Sequence, residues 1–205
     1  MQLGVPVGHI PSEEEYFHRL DCQLIDEMRE RAAAKQERRR MAETSQIEDP
    51  RVLEALEKLG YTHTTVILLH LVPLVELAWT DGSVSPAERK GILAAAAARG
   101  LREETSAGRQ LAAWLENCPS PAFFEGTWRG ITAQLDSLPA KERTASKDAL
   151  IQACTDFASA SCHLFGWTSH ICTAKRTLLR EIRSRLERKS EKEPALEGAA
   201  SAHAA

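Results

Sequence analysis

The sequence predicts an all-α protein, because apolar residues recur at helical spacing, capping residues and prolines mark the joints, and no segment alternates convincingly as a strand. A hydrophobic share of 43 % is ample for a core, and with 5 % aromatic residues that core must be packed largely from leucine and alanine. The length of 205 residues suits one good-sized domain with helical extensions.

Residues 1–11 carry two prolines and two glycines and read as an extended lead-in. Ser12 followed by Glu13, Glu14 and Glu15 is a helix start: a hydroxyl cap, then acids where the macrodipole favours them. Phe17, Leu20, Leu24, Ile25 and Met28 follow at helical spacing. Beyond Met28 the apolar face fades into an Ala/Arg/Glu/Gln run of high helix propensity and poor burial. This end, to about Ala42, is expected to project into solvent or wait for a partner, and residues 12–48 together form an N-terminal helical arm.

A helical domain is predicted over 49–189. Asp49-Pro50 opens a short helix that turns Val52, Leu53, Leu56 and Leu59 inward and stops at Gly60. A long apolar helix is expected from about Thr62 to Thr80, kinked at Pro73, where the ring removes a backbone donor. Gly82 ends it, and Ser85-Pro86-Ala87-Glu88 starts the next helix, which runs to Gly100. Four more helices are expected over Glu103–Asn117, Pro121–Ser137, Ala140–Cys162 and Cys172 to about Lys189. The tail, 190–205, has almost no large apolar side chain to offset the entropy of ordering and is expected to be disordered.

Composition narrows the partners. A net charge of −3 gives no global drive toward nucleic acid. The basic stretches Lys35–Arg40 and Arg176–Lys192 are interleaved with glutamate, as on a solvated helix face, so no nucleic-acid partner is expected. The apolar run from Val66 to Trp79 is broken by His70, Pro73 and Glu76, and is too short to span a bilayer. Five scattered cysteines without a legible signal peptide read as reduced thiols of a cytoplasmic protein.

The stretch from Leu71 to Leu101, opening L-V-P-L-V-E-L-A-W-T-D-G-S-V-S-P-A-E-R-K-G-I-L, resembles the TerB family of tellurite-resistance proteins. The matching residues are Ala78, Asp81, Gly82, Val84, Ser85 and Glu88; a similar core occurs in the N-terminal domain of membrane-anchored DnaJ-like co-chaperones. The resemblance implies a TerB-like helical bundle with two pseudo-repeated helix-loop-helix units. A second copy is legible here: Asp156, Phe157 and Ala158 align with Glu76, Leu77 and Ala78, and Ile171–Leu179 aligns with Val84–Ile92. Its chemistry differs, with Ser161 where Asp81 would stand and Lys175 where Glu88 would stand.

The resemblance also implies a divalent-cation site, calcium above all, and a non-enzymatic stress-response or scaffold role with protein partners near a membrane surface. Asp81, Glu88, Ser83 and Glu76 are the candidate ligands, since hard cations take several oxygens. The alternative reading of the same residues is structural. Ser85 and Glu88 have the spacing of a capping box, and Asp81-Gly82 that of an ordinary helix-ending turn.

Two readings from other classes stand beside it. Cys154, Cys162, His163, His170 and Cys172 surround one helix-loop-helix and are the candidate zinc or redox set, although no C-x-x-C spacing occurs. The N-terminal helix is a candidate for homo-oligomerisation. His70 reads as a packed core histidine, Trp79, Trp114, Trp128 and Trp167 as core or helix-interface anchors, and His18 and Asp21 as a surface pair without a nucleophile. No phosphate loop, H-E-x-x-H or nucleophile elbow is present, so the sequence predicts no enzyme active site.

Overall fold

A computed structural model describes residues 13–164 and 169–187, without side-chain detail at 13, 15, 162–164 and 169–172. The expected lead-in, the loop 165–168 and the tail lie outside the described residues. The described chain is an all-α bundle of eight α-helices: α1 Glu13–Ser45, α2 Pro50–Lys58, α3 Val72–Ala78, α4 Pro86–Ala97, α5 Ser106–Glu116, α6 Pro121–Ser137, α7 Ala140–Leu164 and α8 Ser169–Glu187. No strand occurs among the described residues.

The joints are chemically explicit. Asp49 caps α2 through the Arg51 amide at 2.8 Å, with Pro50 as the first helical residue. Thr105 and Ser120 cap α5 and α6 in the same way, bonding the Gly108 and Phe123 amides. The Thr105 cap starts α5 three residues later than the sequence suggests. Residues 102–105 form a turn instead, closed by the Thr105 amide on the Arg102 carbonyl.

The apolar segment 62–80 is not one kinked helix. It breaks into a 3-10 helix over Val66–Leu71, then α3, then a 3-10 turn over Trp79–Asp81. Pro73 lacks the N–H that would continue a preceding α-helix, but the first turn of a new helix needs no such donor. The proline therefore opens α3 rather than bending a longer helix.

This segment is the centre of the bundle. Leu68, Leu69, Leu71, Val75, Leu77 and Ala78 have essentially no exposure, and α3 touches α4, α6, α7 and α8. Helices α7 and α8 pack together as a pair against it. Helix α6 closes on α2 through glycines: a Cβ at Gly130 would stand 2.9 Å from Leu56 Cδ2, and one at Gly126 would collide with Leu59 Cδ1. At one side Tyr61, Trp114 and Phe123 form an aromatic cluster, with the Tyr61 hydroxyl 2.9 Å from that of Thr127.

Helix α1, about 50 Å long at 1.5 Å per residue, joins this body by its C-terminal end, the end expected to project, because Met41, Glu37 and Arg38 interrupt the polar run with groups that the body can bury or pair. Met41, Ser45 and the following Ile47 are buried. Glu37 accepts the His63 backbone N–H at 2.7 Å and lies 2.9 Å from its ring Nδ1, while Arg38 pairs with Glu57 at 2.8 Å. From residue 16 to residue 33 every position is exposed.

Candidate functional site

The turn between α3 and α4 carries Asp81 and Ser83, with Glu76 on α3 before it and Glu88 in the first turn of α4. Its geometry follows from two local rules. Gly82 takes φ 87°, the left-handed conformation that ends the preceding turn and that a side chain disfavours. Ser85 then caps α4: its hydroxyl accepts the Glu88 amide at 3.2 Å, and Glu88 Oε2 accepts the Ser85 amide at 3.0 Å and its hydroxyl at 2.7 Å. This is a complete capping box.

The other oxygen of Glu88 is also taken. Lys175 of α8 donates its ammonium to Glu88 Oε1, and the two side chains are 1 % and 2 % exposed for Lys175 and Glu88 respectively. Burial alone would raise the Glu88 carboxyl, but the hydrogen bonds from Lys175 and Ser85 outweigh it and hold the group below the usual glutamate range. Lys175 is the residue aligned with Glu88 in the sequence repeat. The two aligned residues thus meet as opposite charges in the core.

The remaining candidates do not join them. Asp81 is exposed and accepts the Ser83 amide at 3.2 Å, closing the turn on itself. Ser83 is exposed. Glu76, one oxygen of which accepts the Trp128 indole N–H at 2.8 Å, turns toward α6 instead. Burial raises its carboxyl, partly offset by that bond and by Arg185, whose guanidinium lies 5.7 Å from the Trp128 ring centroid. Among the described residues no group of three or more His, Cys, Asp or Glu side chains gathers as a metal site.

Of the cysteine and histidine set, only Cys154 has a described side chain. It is fully buried on α7, and burial, with the Glu76 charge, pushes its thiol up to about 12. That makes it a packed hydrophobe rather than a reactive thiolate. Cys162, His163, His170 and Cys172 lie outside the residues whose side chains are described. His70 is half-buried, and burial lowers its pKa. Trp114 and Trp128 are buried core residues, and part-buried Trp79 packs against the core and donates its indole N–H to the Trp114 carbonyl at 2.8 Å, as expected of core or helix-interface anchors, while Trp167 lies outside the described residues. His18 faces Cys22, with Nδ1 3.7 Å from Sγ, rather than Asp21.

A second feature lies at the other end of the molecule. Tyr16, Phe17, Leu20, Leu24, Ile25 and Met28, on the free part of α1, are each 47–60 % exposed. Their spacing sets them mainly along one side of the helix. The Phe17, Leu20, Leu24, Ile25 and Met28 pattern was legible in the sequence. What the periodicity alone could not tell was that, among the described residues, no part of the body covers it.

No family model, curated protein or solved structure matches this chain. No described helix is long and apolar enough to cross a membrane.

Proposed function

We propose that the protein is a non-enzymatic scaffold domain, TerB-like in its core, which binds protein partners through the free part of α1. The observation that carries this reading is the row of six large apolar side chains on a helix whose other end is fixed to a packed bundle. Contiguous apolar surface of this kind is costly in water and marks an interaction face. An unsupported helix is marginal in water by itself, so this segment gains stability when a partner covers it.

The body supplies a rigid mount. Its central helix is buried but for Glu76, and its α4–α8 contact is fastened by the Glu88–Lys175 pair. The stress-response role implied by the TerB resemblance fits a display function of this sort, with membrane proximity arising from what α1 engages. Tuning by a divalent cation is no part of this proposal, because Glu88 and Glu76 already serve other donors and leave only Asp81 and Ser83 at the turn.

Site-specific photo-crosslinking in cells tests the proposal. A photoreactive residue at Leu24 should give a discrete protein adduct, and one at the exposed Arg129 of α6 should not. If neither Leu20 nor Leu24 yields an adduct, the reading fails.

A further inference from the structure

We infer that the groove between α7 and α8 is a second docking site, and that its occupant is an acidic amphipathic helix of a partner protein. The site stands apart from α1 and does not depend on what α1 engages.

The groove holds about 330 Å³. Its floor is apolar: Ile182 is buried, and Ile151 and Leu179 are part-buried against the core. Its rim is basic. Arg176, Arg180 and Arg183 all line it, and all three are exposed. Steps of four and three residues set them on successive turns along one face of α8, over about 10 Å at 1.5 Å per residue.

These arginines have little to hold within the molecule. Among the described residues none of the three pairs with a carboxylate, and Arg180 reaches only the Arg176 carbonyl and the Thr177 hydroxyl, both at 3.4 Å. The α7 wall supplies no counter-charge. It offers Ile151 and Thr155, whose hydroxyl is bonded to the Ile151 carbonyl at 2.7 Å.

Charge and shape together choose the occupant. Guanidinium groups without a carboxylate call for an acidic ligand, and the planar fork of arginine binds carboxylates two bonds at a time. An apolar trough between two packed helices receives the apolar stripe of a third, anchored by side chains one turn apart. A bilayer fits less well. The apolar residues lie at the bottom of the trough, where they cannot enter a membrane, and three arginines fall short of the roughly four to eight basic residues of a lipid-binding cluster.

A probe of this chemistry is a fluorescein-labelled helix of about 15 residues, built of glutamate, leucine and alanine. Its glutamates alternate four and three residues apart, and its leucines run along the adjoining side. Fluorescence anisotropy with the full chain should give a Kd of about 10 μM. Arg176→Glu with Arg183→Glu should weaken binding at least tenfold and leave the thermal melt unchanged, since both residues are exposed. A peptide with serine in place of leucine should also lose at least tenfold, because charge alone does not fill the floor.

No binding at about 100 μM protein would overturn the inference. So would binding indifferent to the arginine changes, or a serine peptide that binds as well as the leucine one. Leu20→Glu with Leu24→Glu should leave the affinity unchanged; a loss there would move the peptide to α1 and remove the α7–α8 site. If the peptide fails and phosphatidylserine vesicles carry the wild type but not the arginine variant, a lipid surface replaces the helix as occupant.

Discussion

Glu88 on α4 and Lys175 on α8, the two positions that the sequence alignment pairs, form a buried ion pair that fastens α8 to α4. Removing one partner from such a pair leaves a charge stranded in the core, whereas neutralising both does not. Lys175→Met and Glu88→Gln should therefore each cost about 3–5 kcal/mol. The double variant should cost no more than either single one, because the glutamine oxygen can still accept the Ser85 amide. A double-mutant cycle from urea unfolding measures this coupling. Additive losses would mean that the contact contributes packing alone.

Glu76 and Glu88 respond to pH with opposite sign. Burial comes first for Glu76 and raises its folded pKa, so the native state holds that proton more tightly than the unfolded chain. Its contribution to stability is best at low pH and falls as pH rises from the unfolded value through the folded one. Glu88 is held below its unfolded value, so its contribution is present above that value and is lost as pH falls through the lowered one. Glu76→Gln should accordingly melt above the wild type at pH 7, with its oxygen still accepting the Trp128 indole N–H. The advantage should disappear below the ordinary glutamate range. A variant that melts lower at pH 7 would show that the carboxylate charge is needed beside Arg185.

These two residues also mark how far the sequence could be read. Caps and turns were legible because they are local: Asp49-Pro50, Ser85 to Glu88 and Gly82 stand in the structure as their chemistry suggests. The α5 start and the break at residues 66–81 were less so, since a cap at Thr105 and a proline that opens a helix differ from their neighbours by only a few residues. The candidate ligands depended on what lies across the core. Alignment marked Lys175 as a departure from the pattern, and the opposite charge at matching positions was the available signal that the two would meet. For Glu76 the partner, Trp128, is 52 residues away and carried no such signal.

Close approach at glycine gives a sharper test of packing. A Cβ on Gly108, in the first turn of α5, would run into the Arg102 carbonyl and stand 2.6 Å from Glu103 Cα. These are backbone atoms of the turn that the Thr105 cap closes, so they cannot swing aside as a side chain would. Gly108→Ala should cost about 2–3 kcal/mol or more, the upper range for overpacking. Gly91→Ala on α4, whose Cβ would meet only the Phe157 ring at 3.8 Å, should change the same melt little or raise it.

Calcium supplies the last test, at the α3–α4 turn. A hard cation takes six to eight oxygens. Here the Asp81 carboxylate, the Ser83 hydroxyl and turn carbonyls are what the local chain can offer, with Glu88 neutralised by Lys175 and Glu76 turned toward Trp128. The thermal melt of the wild type should therefore be unchanged by millimolar calcium, and Asp81→Asn should behave alike, because the amide oxygen can still accept the Ser83 N–H. A ligand binding only the native state would raise stability by about 2.7 kcal/mol at a hundred times its Kd. A rise of that kind in the wild type, lost in Asp81→Asn, would restore the turn as a cation site and mean that the metal recruits oxygens from beyond it.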